Sequence, residues 1–108
     1  MVEIRAYATE EGKSPYRKWF RGLNAAAAVK VTTALERLED GNLSNVKAVG
    51  SGVSEYKIDF GPGYRIYFAM DGQMLVILLC GGTKKRQQDD IEAAKAFWSD
   101  YKTQTLME

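Results

Sequence analysis

The sequence predicts an α+β domain of two layers, a helical hairpin packed on a mainly antiparallel curved sheet, in the order β-α-α-β-β-β-α. Three observations carry that reading. Apolar and polar residues alternate near the N-terminus and through the second half, which is the period of half-buried strands. Between those stretches, two segments repeat their apolar residues at three- and four-residue spacing, the mark of one helix face. A third segment of that kind closes the chain. The length of 108 residues fits one domain, and two Trp, six Tyr and four Phe supply its core.

The first strand is read over Val2 to Ala8, with Val2, Ile4, Ala6 and Ala8 on one side. Ser14-Pro15 has the form of an N-cap followed by proline at the first helical position. Behind it Tyr16, Trp19, Phe20 and Leu23 make an amphipathic stripe. Asn24 caps a second, alanine-rich helix whose stripe is Val31, Ala34, Leu35 and Leu38, and Gly41-Asn42 ends it. Val53 to Phe60 alternates again, and Gly61-Pro62-Gly63 turns the chain into Tyr64, Ile66 and Phe68. Asp71-Gly72 is a hairpin dipeptide. Met74 to Cys80 is apolar throughout, as a strand covered on both faces must be. The last helix is read from about Gln88 to Lys102, with Ile91, Ala94, Trp98 and Tyr101 inward and Asp89, Asp90 and Glu92 at its positive end. The domain thus spans residues 1–102, and residues 103–108 read as a loose tail.

Composition narrows the chemistry. There is no histidine, which excludes His-based dyads and triads, and the single Cys80 excludes an internal disulfide framework and a structural zinc site. No cofactor or metal is expected. The longest apolar run is too short to span a bilayer, and the charged, alternating N-terminus does not read as a secretory segment, so a cytoplasmic protein without membrane contact is expected. Fifteen Lys and Arg balance 14 acids, but residues 41–86 hold 6 basic and 3 acidic side chains, whereas residues 87–108 hold 2 and 5. A basic middle beside an acidic end suggests one anion-facing surface.

Alternation gathers the candidate residues on one face of a hairpin: Glu55, Lys57 and Asp59 on one strand, Arg65 and Tyr67 on the next. The run Lys84-Lys85-Arg86 leaves the adjoining strand and can rim the same surface. Cations on a rigid sheet suit a phosphate or its transition state. The competing reading is a solvated sheet face on which Glu55 or Asp59 pairs across strands with Arg65.

The stretch from Gly50 through Gly61-Pro62-Gly63-Tyr64-Arg65 to Phe68 resembles the RelE/ParE toxin superfamily, and within it the HigB-like addiction module killer branch. Val46-Lys47, Leu78 to Gly82 and Lys84 to Ile91 extend the likeness. The resemblance implies the toxin of a type II toxin–antitoxin module, a ribosome-dependent mRNA endoribonuclease. Arg65 and Lys84 would clamp the scissile phosphate, with Lys57 near the 2′-hydroxyl and Glu55 assisting. Lys47, Tyr67, Lys85 and Arg86 would contact RNA. It further implies a helix-turn-helix antitoxin and, as partners, the ribosome and mRNA. The alternative implied is a ParE-like inhibitor that blocks DNA gyrase without catalysis. Asp59 stands where such nucleases carry a second lysine, and no Tyr or His lies near Asp90 or Ile91.

Overall fold

The computed structural model describes residues 1–106. Its order is β1 (Glu3–Ala6), α1 (Pro15–Arg21), α2 (Ala25–Glu39), β2 (Val46–Gly50), β3 (Val53–Ile58), β4 (Tyr64–Asp71), β5 (Leu75–Thr83) and α3 (Gln87–Leu106). The strands form one sheet in the order β1-β5-β4-β3-β2. Neighbours are antiparallel from β2 to β5, but β1 runs parallel to β5. The expected β-α-α-β-β-β-α order is therefore corrected to one with an additional strand, and the sheet is mixed.

The helices start where local chemistry dictates. The Ser14 hydroxyl accepts from the Arg17 amide at 3.2 Å, and Asn24 Oδ1 accepts from the Ala27 amide at 2.9 Å. Each satisfies a helix-end donor that has no partner within the helix. β2 is the strand that sequence reading missed. It is an exposed edge, and its turn into β3 places Gly50, Ser51 and Gly52 all at positive φ. That turn closes a hairpin with only two residues between the strands, too short to look like a connection.

Two cores lie on opposite faces of the sheet. α1 and α2 cover Tyr56, Ile58, Ile66, Phe68, Val76 and Leu78. α3 covers Val53, Tyr67, Ala69, Ile77, Leu79 and Cys80. The fold thus has three layers rather than two. The face expected to be polar and solvated lies beneath a helix, which is why six consecutive residues of β4, Tyr64 to Ala69, are buried. α3 is held at its far end by Tyr7 Oη donating to Asp100 at 2.5 Å and by Gln104 Nε2 donating to the Ala8 carbonyl at 3.2 Å. The helix runs to Leu106, so the stretch read as a tail is helical up to there, and residues 107–108 lie outside those described. No helix among the described residues is long and apolar enough to cross a membrane.

The two glycines that end β5 serve opposite faces. A Cβ on Gly81 would overlap the Trp19 ring of α1, and a Cβ on Gly82 would overlap the Asp90 carboxylate of α3. Their hydrogen side chains let one helix on each side approach the same stretch of strand.

Candidate functional site

The register sets two rows of side chains across the α3 face. Lys47 pairs with Glu55, Glu55 with Tyr67, and Tyr67 with Cys80. One row further on, Lys57 pairs with Arg65, and Arg65 with Gly82. Glu55, Lys57, Arg65 and Tyr67 are therefore brought together, but not as an open polar surface. Glu55 is 3% exposed, Arg65 5% and Tyr67 0%.

These three buried residues form a network closed by α3. Glu55 Oε1 accepts from Tyr67 Oη at 3.2 Å and from Gln87 Nε2 at 2.9 Å. Arg65 Nε lies 3.3 Å from the same oxygen without donating a hydrogen bond to it. Arg65 Nη1 donates instead to the Gly63 carbonyl at 3.1 Å, and that carbonyl also accepts the Lys84 amide at 2.8 Å. Lys84 Cβ and Arg65 Nη1 both lie within 3.5 Å of the place a Cβ on Gly63 would take. Gly63, at φ +79°, is thus the bracket that fixes Arg65 beside the start of the basic run. Burial and the Glu55 carboxylate push the Tyr67 hydroxyl far above its ordinary range. The cross-strand pairing of Glu55 with Arg65 is present, buried instead of solvated.

The charges that remain accessible form a rim. Lys47, Lys57, Lys84, Lys85 and Arg86 are all exposed. Lys57 Nζ has a loose contact of 3.9 Å with Asp59, and Arg86 one of the same length with Asp89. Exposed pairs that long contribute little. Lys84 to Arg86 make a 3₁₀ turn that carries the chain into α3, with Lys84 Cβ beside the Gly63 bracket. Tyr67, fully covered, cannot meet RNA directly; it orients Glu55. Cys80, buried and pushed up to about 12 chiefly by that burial, is an inert thiol. Among the described residues no group of three or more His, Cys, Asp or Glu is placed to hold a metal ion.

Sequence reasoning missed Gln87, whose amide closes the network, and Asp90. The only sequence signal for Asp90 was Gly82, the residue it needs beneath it. Asp90 Oδ2 is buried without a hydrogen-bond partner, and burial raises the carboxyl above its ordinary range. A carboxyl that binds its proton more tightly when folded loses stability as pH rises from the ordinary carboxyl range through its raised value. Replacing Asp90 by Asn is therefore expected to raise the melting temperature by a few degrees at pH 7 and to change it little near pH 3. The helix-end attraction that is lost, about 0.3–1 kcal/mol, is smaller than the cost of a buried, unpartnered charged oxygen, about 1–3 kcal/mol or more. Thermal melts at the two pH values check this, and a lower melting temperature at pH 7 would contradict it.

The fold and rim define a small α/β/α domain with a basic end. A family model described as phage derived protein Gp49-like (DUF891) matches residues 18–97. An uncharacterized protein of Haemophilus influenzae is 42% identical over 81 residues, covering 74% of this chain and 82% of that protein. The chain belongs to the phage-derived Gp49-like family, a toxin-like family. This corrects the resemblance to RelE/ParE and HigB-like proteins, which is a different family. The block that carried that likeness, Gly61-Pro62-Gly63-Tyr64-Arg65, is explained by local need. Gly61 and Gly63 supply positive φ, and Arg65 supplies the buried countercharge of Glu55. A tight turn and a buried pair recur across families, so such a block reports the hairpin it builds.

Proposed function

We propose that this chain is the toxin of a toxin–antitoxin module and that it arrests translation by cutting messenger RNA on the ribosome. One observation carries the reading: exposed Lys57 and Lys84 flank a fixed, buried Arg65 at one end of the sheet. In this reading Lys57 and Lys84 hold the non-bridging oxygens of a phosphodiester. Arg65, its charge balanced by Glu55, acts behind them by holding the Gly63 carbonyl that also accepts the Lys84 amide, and so positions Lys84. The RNA 2′-oxygen attacks the adjacent phosphorus, its proton passes to water, and the bond to the 5′-oxygen breaks. That oxygen takes up a proton from water, leaving a cyclic phosphate and a 5′-hydroxyl. Glu55 serves as the anchor of Arg65, because Tyr67, Gln87 and Arg65 already engage its carboxylate. Lys47, Lys85 and Arg86 hold flanking phosphates. A co-encoded helix-turn-helix antitoxin would mask the rim.

Lys57→Ala with Lys84→Ala is expected to leave the fold intact, since both side chains are exposed, and to lower cleavage on the order of 100-fold or more. On induction, wild type should stop growth and the double variant should not. Arrest by the double variant as strong as by wild type would overturn the assignment. The burial of Arg65 with Glu55 favours one other reading, a non-catalytic inhibitor of DNA gyrase, because it leaves no free acid or base in the network. A supercoiling assay separates the two: inhibition without RNA cuts supports blocking.

A further inference from the structure

On the opposite side of the sheet, α2 and the start of the β3–β4 loop enclose a groove of about 290 Å³. Lys30 and Arg37 stand two turns apart on α2 and line it, together with Asn45, Lys57, Asp59 and Phe60. Lys30 Nζ is 5.3 Å from the centroid of the Phe60 ring. Neither Lys30 nor Arg37 has a carboxylate within ion-pair distance among the described residues, and Lys57 has only its loose contact with Asp59. Two cations on α2 thus face one carboxylate around a concave surface with an aromatic wall, and Lys57, whose side chain belongs to the α3 face, borders it through β3. Nothing in the packing requires this, since Lys30 and Arg37 are exposed.

We propose that this groove binds one nucleotide of single-stranded RNA, with the base on the Phe60 face over which Lys30 Nζ now sits, and the flexible Lys30 side chain moved onto an adjoining phosphate beside Arg37. Stacking on an aromatic face combined with cations along the backbone is how proteins hold single strands without reading sequence. The volume lies at the lower end of ligand sites, about 300–1,000 Å³, and suits a single nucleotide rather than a large cofactor. An acidic peptide would use the cations but would have no need of the ring. The proposal rests on the RNA-cutting reading and extends it. Lys57 lines the groove and also belongs to the rim, and Phe60 opens the loop that ends at the Gly63 bracket. A strand leaving the groove around this loop arrives at Lys84, so the groove holds a nucleotide flanking the phosphate to be cut.

The test is fluorescence anisotropy of a labelled 12-nucleotide RNA with the full chain between 50 and 300 mM salt, about the range over which counterion release dominates. Lys30→Ala with Arg37→Ala is expected to reduce the salt slope by about 1.4, two phosphate contacts at about 0.7 each. Phe60→Leu keeps the apolar bulk and is expected to weaken binding on the order of tenfold with the slope unchanged. Unchanged affinity and slope in both variants would overturn the proposal. So would a 12-residue polyglutamate that binds as tightly as RNA and is indifferent to Phe60→Leu. Binding is read without cleavage. Failure of the cutting reading therefore shows as missing transcript ends with groove-dependent RNA binding intact, and failure of the groove shows as RNA binding that ignores these substitutions.

Discussion

Arg65→Ala is expected to destabilise the domain by about 3–5 kcal/mol, the cost of leaving a buried charge without its partner. Glu55, 3% exposed, would keep only the Tyr67 hydroxyl and the Gln87 amide as donors, and the Gly63 carbonyl would lose the guanidinium that helps to place Lys84. For a domain whose total stability is about 5–15 kcal/mol, this is a third or more in most cases, on the order of 15–30 °C in melting temperature. The double variant Arg65→Met with Glu55→Gln removes both charges and is expected to recover most of the loss, since a neutral pair of similar size carries no uncompensated charge. Urea unfolding of the three proteins checks both statements. A loss below about 1 kcal/mol for Arg65→Ala would mean that the pair is not buried as described. A practical consequence follows for function. Loss of toxicity in Arg65→Ala would report unfolding as readily as catalysis, so the exposed lysines are the informative positions.

Gly81→Ala is expected to cost about 3 kcal/mol or more, at or beyond the upper end of ordinary overpacking. The added methyl would overlap ring carbons of Trp19. That ring cannot easily move away, because Tyr16 and Tyr64 pack against it at centroid distances of 5.8 and 6.4 Å. Gly81 does not have positive φ, so no backbone strain confuses the reading. On a Trp19→Ala background the same change should be close to neutral, or slightly stabilising because alanine restricts the unfolded chain by about 0.4–1 kcal/mol. Additive losses in the double-variant cycle would show that the ring is not the obstacle.

Much of the local structure was legible because it is determined locally. Ser14 and Asn24 cap the helices that their flanking stripes announce, and Gly41 and Gly72 take the positive φ expected of their turns. The family and the layer count were not legible, for physical reasons. Val46 to Gly50 forms a strand because β3 lies beside it, and its own pattern is too short and too exposed to reveal this. The hairpin face looked polar because Glu55, Arg65 and Tyr67 are polar residues, and alternation cannot distinguish a solvated row from a buried network. Only the placement of α3 makes that distinction. Two glycines at the end of β5 were the hint, since Gly82 has no purpose unless something large, here Asp90, sits over it. Lys57 and Lys84 stand out as candidates in the sequence alone, whereas Lys30, Arg37 and Phe60 come together only through the packing of α2 on the sheet.

The most direct measurement is genome-wide mapping of transcript 5′ ends shortly after induction, comparing wild type with the Lys57→Ala, Lys84→Ala double variant at matched levels of folded protein. The expected result is a set of new 5′-hydroxyl ends inside translated messages with wild type, nearly absent with the double variant. Growth arrest without new ends, or the same ends from both proteins, would contradict an RNA-cutting site built on these two lysines.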